Sequence, residues 1–352
     1  MTFDDENPLL NCRLPVSSSE IVKLAHGSGG KMASSLIQNL FLPRLSNEFL
    51  NKLDDAADLQ IGKSRIAVST DSYVVSPIFF PGGDIGSLAV NGTVNDLCMR
   101  GATPQYLTAS FIMEEGFPLA DLELVIASFA KACEISDVKV VAADTKVVGR
   151  GAADKLFITT SGIGTIECDP IPSCQSAREG DDIVVSGDIG LHGIAVMTAR
   201  EGLHLETEIR SDSTSLRKLV SSILETGLVP HCMRDITRGG LATVLNEICK
   251  SSGVSMHIEE SKIPVDSQVS AVCELLGLDP LYVACEGRFV AIVDPIYSKK
   301  LLEIMSQDKT CKNAAIIGKV VAGEPSRVIL NSCIGGKRIV DMLAGDQLPR
   351  IC

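Results

Sequence analysis

Apolar positions along the chain change period repeatedly, and the changes mark out two rounds of strands and helices. Met32, Leu36, Ile37, Leu40 and Phe41 recur at helical spacing directly after Gly27-Ser28-Gly29-Gly30, which predicts a helix opened by a glycine loop. Residues 65–70 read as a strand, and 84–99 as a helix closed by Gly101 and Pro104. A strand follows over 106–113. Pro118 then fits the first turn of a helix whose apolar face is Leu122, Val125, Ile126, Phe129 and Cys133. Strands over 138–143 and 156–166 complete the first round.

The run Cys168-Asp169-Pro170-Ile171-Pro172-Ser173 turns to loop composition and marks a boundary. Beyond it the alternation restarts, with strands over 183–186 and 289–293 and helices over 193–200, 214–225 and 239–250. Interleaving of this kind predicts α/β or α+β layers in both halves. Asp84-Ile85-Gly86 and Asp188-Ile189-Gly190, each shortly after a strand, are a faint echo between the halves. Two domains are expected, 1–167 and 168–340, as the length of 352 residues also favours. Residues 1–20 read as polar and irregular, with Ser17-Ser18-Ser19-Glu20 as a loop or cap. Residues 341–352 read as a mobile tail, since Pro349 cannot continue a helix into the terminal Cys352.

Composition narrows the setting. No uncharged apolar run approaches the ~20 residues of a membrane span, and the start Met1-Thr2-Phe3-Asp4-Asp5-Glu6 is acidic where a signal peptide is basic, so a cytoplasmic protein is expected. There, 12 cysteines predict buried apolar thiols and one reactive thiol rather than a disulfide framework, and no Cys-x-x-Cys pair supports a zinc site. A net charge of −12 argues against binding to nucleic acid.

Acidic residues cluster instead at the ends of expected elements: Asp54-Asp55, Asp71, Asp96, Asp144 and Asp235. A lone Asp in such a place more often caps a helix or forms a turn. Five together favour a hard cation such as magnesium, which takes oxygen ligands and shares its positions with phosphate oxygens. Gly27-Ser28-Gly29-Gly30-Lys31 supplies backbone N–H groups and a cation suited to phosphates, yet Ala25 and Met32 break the Walker A pattern. Lys146, between Asp144-Thr145 and Arg150, suits charge neutralisation in phosphoryl transfer, and Glu286, ahead of a strand, suits a general base. Among the histidines, His26 and His192 sit in glycine-flanked loops.

The ordered set Ala25 to Lys31, Thr70-Asp71-Ser72-Tyr73-Val74-Val75-Ser76-Pro77, Phe80-Pro81-Gly82-Gly83-Asp84-Ile85-Gly86, Asp144-Thr145-Lys146-Val147-Val148 and the ending Pro349-Arg350-Ile351-Cys352 resembles the HypE family of hydrogenase-maturation factors, within the PurM-like (aminoimidazole ribonucleotide synthetase) ATP-binding superfamily. The resemblance runs from about residue 20 to the end. It implies a two-domain PurM-like fold, with N-terminal sheets forming a dimer barrel, a C-terminal α/β domain and a mobile tail. It further implies that a carbamoyltransferase, HypF, loads Cys352, and that ATP drives dehydration of the S-carboxamide to a thiocyanate. The cyanide would pass to iron on a HypC–HypD complex. By motif position, Asp55, Asp71, Asp96 and Asp235 would hold Mg2+, and Gly27, Ser28, Gly29, Gly30 and Lys31, with Asp144, Thr145, Gly239 and Gly240, would bind ATP. Lys146 and Glu286 would be catalytic together with Cys352. Cys285, Arg288 and Leu191 stand where the family usually carries Asn, Lys and Asp. Two other readings stay open: another PurM-like kinase acting on selenide or a purine-type amide, and a non-enzymatic thiol carrier.

Overall fold

The computed structural model describes residues 21–200, 208–322, 327–343, 345, 348 and 350–352. The irregular segment expected over 1–20 and Pro349 lie outside them. After α1 (Lys31–Leu36) and α2 (Leu42–Leu45), β1 (Ala57–Ile61) and β2 (Ser64–Tyr73) open the first sheet. A short hairpin of β3 (Phe79–Phe80) and β4 (Gly83–Asp84) leads into α3 (Ile85–Met99), followed by β5 (Ala102–Glu114), α4 (Leu119–Ile135), β6 (Lys139–Val148) and β7 (Leu156–Ile166). The strands pair in the order β1-β2-β7-β5-β6. β5 and β6 are the parallel pair, and α4 is the crossover that such a pair requires. The strands expected over 65–70 and 138–143 run on to Tyr73 and Val148, because the ladder continues past them: Asp71 pairs with Thr160 and Asp144 with Ser110.

β7 alternates buried residues with half-buried or exposed ones, and its buried face lies beneath α3. Asp84 caps α3 by accepting from Gly86 N (2.7 Å) and Ser87 N (3.2 Å). That helix is buried nearly all round, as a helix with apolar residues on every side must be. Its far side meets the second half of the chain, where Asn91 donates to Ser213 Oγ (3.1 Å) and Asn95 bridges Thr214 O (3.0 Å) and Leu216 N (2.8 Å).

The second half comprises β8 (Asp182–Val185), α5 (Leu191–Thr198), α6 (Arg217–Glu225), β9 (Cys232–Asp235), α7 (Gly240–Ser252), β10 (Ser255–Glu259) and α8 (Ser267–Leu276), then β11 (Phe289–Val293), α9 (Pro295–Ser306), β12 (Ala315–Val321), β13 (Val328–Asn331) and β14 (Lys337–Val340). One sheet runs β14-β13-β10-β12-β8-β11-β9. β8 and β11 are buried on both faces, so Val184 and Phe289 enter one core while Val185 and Val290 enter another. The helix expected over 214–225 starts three residues later, because Asn95 ties down the backbone of Thr214 and Leu216. The echo between the halves has structural content, since each Asp-Ile-Gly run leads directly into a helix, α3 or α5. Among the described residues all cysteines are free, and no helix is long and apolar enough to cross a membrane.

Candidate active site

Four elements from both halves bring carboxylates to one place. Asp55 precedes β1, Asp71 lies on β2, Asp96 sits in the last turn of α3, and Asp235 ends β9. Asp55, Asp96 and Asp235 each offer an oxygen within 4.8 Å of the others. Asp71 stands beside this trio and adds to the negative field on Asp96 and Asp235. Asp96 lies near the end of the helix expected over 84–99, and Ser69 Oγ donates to it at 2.5 Å.

Burial is the largest cause pushing up the pKa of each of the three, with neighbouring carboxylates adding to it; Asp55 moves from 3.8 to about 6 despite Arg234. Arg234 Nε holds Asp55 at 3.0 Å while its Nη2 holds Glu247 at 2.9 Å. Behind this pair, Arg100 joins Asp54 and Asp58, both at 2.6 Å, and Asp54 accepts from Cys174 N at 2.8 Å, tying the cluster to the connection between the halves. An all-oxygen donor set, buried and short of positive charge, fits a hard divalent cation. Sequence reasoning found the carboxylates but not Arg100, Arg234 or Ser69, since nothing in their local sequence separates them from ordinary surface residues.

The two glycine motifs meet. Gly29, at φ +75°, lies so close to Arg238 that a Cβ there would stand 2.6 Å from its carbonyl oxygen, and Gly239, at φ +82°, faces Gly29 O in turn. Arg238 Nη1 donates to Gly27 O (3.1 Å), and its Nη2 is 3.9 Å from Asp71. Lys31 points elsewhere: its Nζ pairs with Asp341 at 2.5 Å, its backbone N–H takes Leu343 O at 2.8 Å, and Ser28 Oγ reaches Gly345 O at 3.4 Å. Asp341, Leu343 and Gly345 thus lie across the glycine loop.

Cys352 is docked, only 7% exposed, against a cavity of about 170 Å³ whose wall includes Gly27, Ser28, Arg238 and Gly239. Burial raises its thiol well above the ordinary value, Arg238 opposes this, and the Glu286 and Asp71 carboxylates reinforce it. Glu286 is buried too, its Oε1 without a hydrogen-bond partner, and burial followed by Asp235, Asp71 and Asp212 pushes its pKa up. Asp212 accepts from Glu286 N at 3.1 Å and fixes that loop. His192 is buried: Nε2 donates to Ile351 O (2.9 Å), and Nδ1 accepts from Ser211 Oγ (2.8 Å), which itself accepts from Ser213 N (3.0 Å). Burial lowers its pKa, in keeping with a neutral ring. His26, in contrast, accepts from Lys23 N at the surface.

Asp144, Thr145 and Lys146 are not part of this assembly within one chain. They are exposed on β6, Lys146 pairing with Asp144, and β6 is three strand spacings, or about 14 Å, from β2.

Two interleaved halves that close over a shared carboxylate cluster define a chain of the AIR synthase related class, and the family profiles agree: the N-terminal domain matches residues 53–166 and the C-terminal domain residues 178–331. Within that class the chain belongs to the HypE family of carbamoyl dehydratases. It is 50% identical over 331 residues to carbamoyl dehydratase HypE of Azotobacter vinelandii, covering 94% of this chain and 97% of that one. Among solved structures it is similar to HypE in a HypE–HypF complex, with 46% identity, TM-score 0.83, and 88% and 100% of the two chains covered. It is also similar to HypE in complex with ATP, with 45% identity, TM-score 0.80, and 94% and 100% covered. The family resemblance and the fold class read from the motifs are borne out.

Proposed function

We propose that this chain is an ATP-dependent dehydratase acting on its own C-terminal cysteine: Cys352-S-C(=O)-NH2 plus ATP gives Cys352-S-C≡N, ADP and phosphate. The observation that carries the reading is the position of Cys352, inserted beside Glu286, Arg238, Asp71 and the glycine loop, with Asp71 and Glu286 in turn acting on the carboxylate cluster. An amide oxygen is a poor leaving group, and transfer of the γ-phosphoryl of ATP to it allows it to depart as phosphate. Arg238, close to both the thiol and Asp71, is placed to stabilise negative charge on the reacting oxygens. Glu286 takes protons from the carboxamide nitrogen as the nitrile forms. Ile351 and Cys352, both nearly excluded from solvent, keep water from the activated carboxamide.

Asp55, Asp96 and Asp235, with Asp71 beside them, would hold magnesium, which when bound neutralises phosphate charge. The glycine motifs at 27–30 and 239–240 would lie along the nucleotide, and Lys31 would reach it once released from Asp341. The named HypE–ATP and HypE–HypF structures support ATP as co-substrate and HypF as the partner that loads Cys352. The same reading makes a HypC–HypD iron complex the acceptor of the cyanide, and the cytoplasm its setting. β6 exposes Val140, Val141 and Val147 along an edge that no strand among the described residues pairs with, which supports a homodimer through the first sheet. Asp144, Thr145 and Lys146 take part only if a second copy brings its β6 to this site.

The test is the mass of the C-terminal peptide after incubation with HypF, carbamoyl phosphate and Mg-ATP, against a non-hydrolysable ATP analogue. Loss of one water from a carbamoyl adduct on Cys352, with ATP alone, is the expected result. An adduct that never loses water would leave the chain a carrier.

A further inference from the structure

The last three residues sit in a built dock that none of the expected site residues accounts for. Arg350 is its centre. Its Nε donates to Val74 O (2.9 Å), its Nη1 pairs with Asp154 (2.5 Å), and its guanidinium lies 5.9 Å from the centre of the Phe157 ring. Its backbone is held as well, because Ser76 N (3.1 Å) and Arg200 Nη2 (3.2 Å) both donate to its carbonyl. Arg350 adopts φ +55°, a left-handed conformation disfavoured for a residue with a Cβ, and these contacts keep it there. The turn sends Ile351 toward His192 and brings the Cys352 carbonyl to Val74 N (3.1 Å). The dock uses both halves of the chain, Val74, Asp154 and Phe157 from the first and His192 and Arg200 from the second.

We infer that Asp154 is a positioning residue for Cys352: by pairing with Arg350 it sets the fraction of molecules in which the terminal thiol stands beside Glu286. This deepens the proposed reading of Cys352 as the group worked on. A thiol that is 7% exposed cannot be loaded by another protein while docked, so the tail must leave and return, and Asp154 biases that equilibrium toward return. The Arg350 fork fits the task because it can bond a backbone carbonyl and a carboxylate at once, which the single ammonium of a lysine does less well.

Docking is read directly by pulsing the full-length protein with iodoacetamide and comparing alkylation of Cys352 with that of exposed Cys333 and buried Cys249 by peptide mass spectrometry. Asp154 is 45% exposed, so its ion pair is screened; Asp154→Asn raises the Cys352 to Cys333 ratio roughly threefold, and the increase shrinks at high salt. Arg350→Ala, which also removes the bond to Val74 and the ring contact, raises it about tenfold or more, and Arg350→Lys restores little. Asp154→Lys exceeds Asp154→Asn. Cys249 stays protected throughout, separating release of the tail from loss of fold. A Cys352 ratio unchanged in both Asp154 variants overturns the inference, whatever Arg350→Ala does. No step requires ATP or a carbamoyl group, so the outcome stands apart from that of the dehydration assay.

Discussion

In the proposed reaction Glu286 is a carboxylic acid that must act as a base from a site that favours its neutral form. Burial and three nearby carboxylates raise its pKa, and Arg238 opposes them only in part. Positive charge entering the cluster would release the proton and leave Glu286 able to accept one from nitrogen. Glu286→Gln keeps the shape and removes the basicity. Cys352 should then still be carbamoylated by HypF, while water loss from the adduct slows at least about 100-fold, as for loss of a general base. Dehydration at the ordinary rate in that variant would remove Glu286 from the mechanism. Residues of this kind were partly legible. Carboxylates at element ends stand out in a sequence because burying a charge is costly without a purpose. Asp154 and Arg234 did not stand out, since their meaning comes from partners about 196 and 179 positions away along the chain, Arg350 and Asp55.

Helix α3 connects these residues, lying between the first sheet and the second half of the chain and carrying Asp96 on one side and Asn91 and Asn95 on another. Its extent was readable from the Asp84 cap and the Gly101 stop. Its burial on every side was not, because an all-apolar run does not say what covers it. Gly92 lies mid-helix, where glycine costs about 1 kcal/mol relative to alanine. The reason is Tyr73, fully buried at the end of β2, whose hydroxyl occupies the space a Cβ would need. Gly92→Ala should therefore destabilise by about 1–2 kcal/mol, the overpacking cost exceeding the gain in helix propensity. Tyr73→Phe in the same chain removes the clashing oxygen and should recover most of the loss. Urea titration of the four members of this cycle tests the claim, and additive effects would refute it. Boundaries misread from sequence have equally local causes. The Asp71 and Asp144 strands run on because their partners continue the ladder, and the start of α6 is set by Asn95, 122 positions before Arg217.

Across the whole molecule, the carboxylate cluster joins the halves, and the proposed magnesium site predicts that their association depends on pH and on a divalent cation. Asp55 has its pKa raised from 3.8 to about 6, and Asp96 and Asp235 are raised too, burial being the first cause for each. The folded chain therefore holds these protons more tightly than the unfolded chain. Their stabilising effect is complete below about pH 4 and is lost as pH rises through the raised folded values, about 6 for Asp55. Near neutrality, ionising three buried carboxylates within 4.8 Å of one another opposes folding, and a bound divalent cation offsets the repulsion. In EDTA the melting temperature should drop between pH 5 and pH 7. Magnesium should raise it, and raise it more at pH 7 than at pH 5, where protons compete for the same oxygens. Asp235→Asn removes one of the three charges, so that protein should melt higher than the parent in EDTA at pH 7 and gain little from magnesium. Differential scanning fluorimetry of both proteins at the two pH values, with and without magnesium, is sufficient. An increment from magnesium that is equal at both pH values, or that survives Asp235→Asn, would place the cation elsewhere and leave the cluster a purely structural junction between the halves.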